Sequence, residues 1–126
     1  MPEPATVEAF VSAVEAGRFV EAIQTYYAPQ ASMRENEDTP RVGVAALVEN
    51  EQRILSVFKS MRGRRIGPVL IEGDRVAINW AFDFERADGG KVHLEEVAWQ
   101  RWQGEQIVEE RFFYNPAQLQ AAAVVA

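Results

Sequence analysis

The run "DRVAINWAFDFERADGGKVHLEEVAWQRW", residues 74–102, decides how this chain folds. Two segments rich in Val, Ile, Phe and Trp flank "ADGG" (87–90), and both alternate in polarity with a period of two. That period belongs to strands, whose successive side chains project to opposite faces of a sheet. Two such segments joined by a short glycine-containing turn read as an antiparallel hairpin. A second turn, "QGEQ" (103–106), leads into a third strand, "IVEERFFY" (107–114). Before the hairpin, "RIGPVLIEG" (65–73) reads as one more strand, closed by a Gly-Asp turn.

Working toward the N-terminus, the period becomes helical. Val7, Phe10, Val11 and Val14 share one helix face, with Thr6 as a candidate N-cap and Gly17 as a breaker. Phe19, Ile23, Tyr26 and Tyr27 suggest a second short helix ending before Pro29. "ASMRENEDTPRVG" (31–43) reads as a short strand and a polar loop. Residues 44–60 return to helical spacing through Val44, Leu47, Val48, Ile54, Leu55 and Phe58. The tail "AQLQAAAVVA" (117–126) is expected to be a short helix or a frayed end. Three helices followed by an antiparallel sheet make an α+β order. A parallel dinucleotide-binding unit would need strands alternating with helices and a glycine loop between them, and neither is present.

Composition narrows the function classes. With 126 residues the chain is long enough for one domain, taken as 1–126 with a core of about 5–120. Nineteen acidic residues against thirteen basic ones, and no basic stripe beyond Arg62, Arg64 and Arg65, argue against a nucleic-acid partner. The absence of cysteine rules out disulfides and thiolate nucleophiles, and a single histidine leaves little for a metal cluster, so no metal or other cofactor is expected. No apolar run approaches the roughly 20 residues of a membrane span. The N-terminus lacks the basic-then-apolar order of a signal peptide. A cytoplasmic protein without membrane partners is the expectation.

Candidate site residues follow from an assumed register. If each four-residue turn closes its hairpin directly, Arg86 pairs with Lys91 and Trp102 with Ile107. One face then collects Ile78, Trp80, Phe82 and Phe84; His93, Glu95, Val97 and Trp99; and Val108, Glu110, Phe112 and Tyr114. Glu96 and Arg111 fall on the opposite, outer face. A one-residue bulge would move a set to the other side. A carboxylate on an apolar face holds its proton more tightly and suits general acid or base work near neutral pH. Glu110 and Glu95 are therefore the catalytic candidates, with His93 as a possible base oriented by Glu95. Tyr26, Tyr27 and Tyr114 could donate to a developing oxyanion. Trp80, Phe82, Trp99 and Phe112 would wall a pocket for a flat apolar ligand. The loop "RENEDTPR" (34–41) is either a solvated turn or a rim over that pocket.

Three segments carry a family resemblance: the helical N-terminus running into "YYAPQASMRENEDTPRVG", the pair "GPVLIEGDRVAINWAFDF", and the ending "RWQGEQIVEERFFYNPAQL". Together they resemble the nuclear transport factor two-like superfamily, in its SnoaL-like polyketide cyclase and ketosteroid isomerase branch. The resemblance implies a cystatin-like fold: a cone-like, curved antiparallel sheet packed on three N-terminal helices and enclosing a deep pocket. It also implies an acidic proton shuttle in that pocket and frequent homodimers through the outer sheet face, here involving Trp102, Leu94 and Phe113. The isomerases use an early aspartate-type base and a tyrosine–aspartic acid oxyanion hole. At those positions this chain offers Glu35 or Glu37 and Ala98. The expected function is thus binding of a small apolar or aromatic molecule, with isomerisation, cyclisation or hydration through Glu110 or Glu95. The alternative is a non-catalytic ligand-binding or dimerisation module.

Overall fold

A computed structural model describes residues 1–119. Most of the tail read as helix or frayed end lies in 120–126, outside the described residues. The elements run α1 (Pro4–Glu15), α2 (Phe19–Tyr26), β1 (Tyr27–Glu35), β2 (Arg41–Val42), α3 (Val44–Val57), β3 (Phe58–Arg65), β4 (Leu70–Glu72), β5 (Arg75–Arg86), β6 (Lys91–Gln103) and β7 (Gln106–Phe113). This is the expected α+β architecture, three helices laid on one face of a sheet whose order is β2-β1-β7-β6-β5-β3, with β4 on β5. The sheet is mixed rather than wholly antiparallel, because β1 runs parallel to β7.

Local chemistry explains most boundaries. Pro4 opens α1, where a missing N–H costs nothing. The N-cap is Glu3 rather than Thr6; Thr6 sits inside the first turn and its hydroxyl donates to Glu105 Oε1 at 2.6 Å. After α1 the chain turns through Gly17 at φ 81°, a left-handed conformation suited to glycine. Tyr27 leaves α2 and begins β1, so the strand opens earlier than its polar sequence suggests. Likewise α3 ends at Val57 and Phe58 starts β3, not the last turn of a helix. The stretch 65–73 is not one strand: Gly67 at φ 75° and Pro68 interrupt it, leaving only Leu70–Glu72 paired with β5.

The register differs from the assumed one at the hairpin that mattered most. Glu85 pairs with Lys91, and the amide of Arg86 donates to Gly90 O at 2.7 Å. Gly89 takes φ 89°, and the Asp88 carboxylate accepts from the Gly90 amide at 2.9 Å. The loop therefore holds three residues with a left-handed glycine, as three-residue hairpins require. This one-residue difference turns all of β6 over. Val92, Leu94, Glu96, Ala98 and Gln100 are buried, whereas His93, Glu95, Val97 and Trp99 are exposed. In the next hairpin Trp102 does pair with Ile107, but a bulge follows and Arg101 pairs with Glu109. The two slips cancel across β7, so Glu110 and Phe112 face inward as the sequence suggests.

The core lies between helices and sheet. Val7, Phe10, Val11, Phe19 and Ile23 pack with Leu47 over Val76, Ile78, Trp80, Ala98, Trp102 and Ile107. Trp102 (1% exposed) and Leu94 (7%) belong to the interior, which corrects their expected place in an outer subunit contact. Gly63 on β3 lets the Phe82 ring come close to the strand, since a Cβ there would come within 2.5 Å of the ring. Across the edge, Arg65 ties β3 to α1, its Nη1 donating to Glu8 Oε2 at 2.6 Å. No helix among the described residues is long and apolar enough to cross a membrane.

Candidate active site

Between helices and sheet the core opens into a cavity of about 140 Å³. Its walls are Tyr27, Met33, Ile54, Trp80, Phe82, Leu94 and Phe112, together with the carboxylates of Glu35, Glu51, Glu96 and Glu110. A second chamber of about 540 Å³, bordered by Phe58, Arg86, Val92 and Tyr114, shares Glu35, Ile54, Phe84 and Leu94 with the first. The pair reads as an inner pocket and an outer vestibule.

At the base lies a buried polar chain. The Trp102 indole N–H donates to Gln100 Oε1 at 2.9 Å, and Gln100 Nε2 donates to Glu110 Oε2 at 2.6 Å. An indole nitrogen can only donate, so it fixes which end of the Gln100 amide faces Glu110. The Tyr27 hydroxyl donates to the other oxygen of Glu110. Burial pushes the Glu110 carboxyl up to about 7, although both hydrogen bonds favour its charged form. Burial, and the Glu110 charge after it, drive the Tyr27 phenol well above its ordinary value.

Glu96 and Glu51 differ in kind. Glu96 is 9% exposed, and burial followed by the charges of Glu110, Glu35 and Glu51 raises it to about 8. Glu51, on α3, is raised to about 7 by burial and then by Glu35. Neither perturbation includes a hydrogen bond from the protein. A carboxyl without donors in apolar surroundings keeps its proton near neutral pH and can exchange it with whatever enters.

The rim is built by the loop after β1. Asn36, at φ 49°, receives the Tyr114 amide on its side-chain oxygen at 3.0 Å, and its own amide donates to Phe112 O at 2.8 Å. Arg41 on β2 pairs with Glu35 at 3.2 Å, and the Tyr114 hydroxyl donates to Glu35 at the same distance. The polar loop is thus tied to the pocket mouth rather than freely solvated. Burial, then the Glu35 charge, raises the Tyr114 phenol.

The structure brings together Glu110, Tyr27, Trp80, Phe82 and Phe112, and places Tyr114 at the vestibule. It does not bring His93, Glu95 or Trp99, which lie on the outer face because β6 is turned over. There His93 Nδ1 sits 2.7 Å from Asp83 and Nε2 3.6 Å from Glu95, and Asp83 is the first cause raising its proton affinity. Tyr26 packs edge-on against Phe10 at 5.6 Å, away from the cavity lining. The residues missed were Glu96, Gln100 and Glu51. For Glu51 a signal existed, because Leu47, Glu51 and Ile54 share a helix face at spacings of four and three. Among the described residues, no three or more Asp, Glu or His side chains converge to hold a metal ion.

The fold agrees with comparisons to other proteins. The family model for the SnoaL-like domain matches residues 7–110. The chain belongs to the SnoaL-like family, and it shares the fold of nuclear transport factor two-like proteins. A protein of Mesorhizobium loti named as a SnoaL-like polyketide cyclase superimposes with a TM-score of 0.76 at 25% identity, covering 87% of this chain and 97% of that one. A nuclear transport factor two-like protein of unknown function from Burkholderia pseudomallei gives a TM-score of 0.81 at 14% identity, with 94% of each chain covered. A further protein named as a SnoaL-like polyketide cyclase, from Jannaschia sp. CCS1, gives 0.80 at 15% identity, covering 93% and 90%. No match was found among curated proteins.

Proposed function

We propose that the chain binds a small, largely apolar or aromatic molecule in the inner cavity and moves a proton on it by general acid–base catalysis. One observation carries the reading: Glu96 is buried in an apolar, aromatic-walled cavity without a protein donor. Glu96 is the group that exchanges its proton with the ligand. Glu110, held by Tyr27 and Gln100, supplies the second proton site in the same cavity. Such a pair, with unlike environments, suits removal of a proton at one atom and its return at another. Isomerisation and cyclisation next to a carbonyl both need that transfer. The solved SnoaL-like neighbours named as polyketide cyclases support this class.

The test is solvent-deuterium exchange into a panel of single-ring ketones, neutral and aminomethyl-substituted, followed by NMR. Wild-type protein should accelerate exchange on at least one ketone, and Glu96→Gln should lose roughly 10²–10⁴-fold of that rate. Exchange no faster with wild type than with Glu96→Gln would contradict the proposal. A second reading, a binding module without catalysis, draws on Glu110, both of whose oxygens are already taken by protein donors. Binding without exchange would favour it.

The outer sheet face is proposed as a homodimer contact. Val97, Trp99 and Phe113 are 41%, 44% and 43% exposed, and Val97 pairs directly with Phe113 across β6 and β7. They, with Leu70, take the place of Trp102 and Leu94 in that contact.

A further inference from the structure

Two of the four cavity carboxylates are satisfied by the protein. Glu110 accepts from Tyr27 and Gln100, and Glu35 accepts from Arg41 and Tyr114. Glu51 and Glu96 accept from no described side chain, yet they face the same space, and among the described residues no side-chain nitrogen or oxygen is fully enclosed without a partner. Glu96 decides the matter: it is nine-tenths buried, and what exposure remains opens on the cavity. A buried carboxylate without a counter-charge is costly, so the lining asks for positive charge from outside. Arg41 cannot supply it to Glu51 and Glu96, because it is engaged with Glu35.

The apolar walls ask for the same thing. Trp80 and Phe82 line the cavity, and aromatic faces carry negative potential that attracts a cation. The carboxylates are not clustered as metal ligands. An anionic ligand would meet four carboxylates and one paired arginine.

We infer that the ligand of the inner cavity is an organic ammonium, a protonated amine whose N–H groups donate to Glu96 and Glu51 while its hydrocarbon body lies against Trp80 and Phe82. This rests on the proposed use of the cavity as a ligand site and names the class of molecule it takes. A cavity of about 140 Å³ is close to one that accepts a benzene ring, so the amine carries one ring or its aliphatic equivalent. Longer substituents extend into the vestibule. Binding has a proton signature. Glu51 and Glu96 hold protons near neutral pH in the empty cavity, through burial and the facing charges of Glu35 and Glu110. An incoming ammonium displaces those protons to solvent.

The experiment is isothermal titration of the full chain with three matched probes: 2-phenylethylammonium, 2-phenylethanol and phenylacetate. Each is run at neutral pH in two buffers of different ionisation enthalpy. The ammonium should bind at least about tenfold more tightly than the alcohol, and phenylacetate should give no binding heat. Ammonium binding should release protons near pH 7 and tighten from pH 6 to 8.5, whereas alcohol binding should do neither. Glu96→Gln should weaken the ammonium by about tenfold and leave the alcohol in place. Glu95→Gln, which removes the same charge from the outer face of the same strand, should change nothing. The inference is overturned if the alcohol binds as well as the ammonium, or if Glu96→Gln leaves the ammonium unaffected. Alcohol binding alone would overturn the inference while the proposed apolar pocket stands; binding of none of the three would overturn both.

Discussion

Replacing Glu96 by glutamine keeps the shape of the side chain and removes its ability to ionise. In the folded chain the carboxyl is raised from 4.5 to about 8, mainly by burial. Between those values the folded state binds more protons than the unfolded state, so stability falls as pH rises across that window. Each tenfold change in proton affinity is worth about 1.36 kcal/mol, so a penalty of roughly 3 kcal/mol is in place by pH 7, growing to roughly 4–5 kcal/mol above pH 8. Part of that shift is mutual repulsion shared with Glu110 and Glu51, so a net gain of roughly 2–4 kcal/mol is expected for the variant at pH 8.5. Near pH 5 the two proteins should differ by less than about 1 kcal/mol, because the folded wild type is neutral at this position. Urea unfolding of both at pH 5, 7 and 8.5 measures the difference directly. A difference that is flat with pH, or one that favours wild type at pH 8.5, would refute the claim that Glu96 is a buried carboxyl without a partner.

Other perturbations probe other parts. Tyr27→Phe removes one of two donors to buried Glu110 and should cost about 1–3 kcal/mol in urea unfolding. The same change should raise the Glu110 titration midpoint, since the lost hydrogen bond favours the charged form; an unchanged midpoint would remove Tyr27 from the network. Gly63→Ala places a methyl within 2.5 Å of the Phe82 ring and should cost about 1–3 kcal/mol, partly recovered by Phe82→Leu in the same chain. Trp99→Glu on the outer face should leave monomer stability within about 0.5 kcal/mol. It should also shift sedimentation from dimer to monomer; an unchanged oligomeric state would dismiss that face as the contact.

Much of the fold was legible because hydrophobic period reports which kind of element forms. The faces of α1, the long strands β5 and β6, and the α+β order could all be read that way. Edge elements were harder. β3, "FKSMRGRR", presents few apolar residues, and Gly63 faces inward to make room for a ring rather than to fill space. The parallel pairing of β1 with β7 joins segments more than 70 residues apart and leaves no local trace. The site suffered from one feature of strand geometry: period two says that Glu95 and Glu96 face oppositely, but not which is inside. That choice is settled by Gly89 taking a left-handed conformation, giving a three-residue loop where "ADGG" suggests four. Glu110 escapes the error only because the bulge after Trp102 restores the phase on β7. Gln100 and Glu96 become legible once the ladder is known, as inward polar residues on a buried strand.

The proposed chemistry needs three carboxyl groups in one cavity that keep their protons near neutral pH. Carbon-13 NMR of protein labelled at the glutamate carboxyl carbons follows each group through a pH titration from 3 to 10. Three resonances should titrate with midpoints of about 7, 7 and 8, and one should vanish in each of Glu51→Gln, Glu110→Gln and Glu96→Gln. If every glutamate titrates near its ordinary 4.5, the buried acid–base site does not exist, and the amine inference and the stability argument go with it.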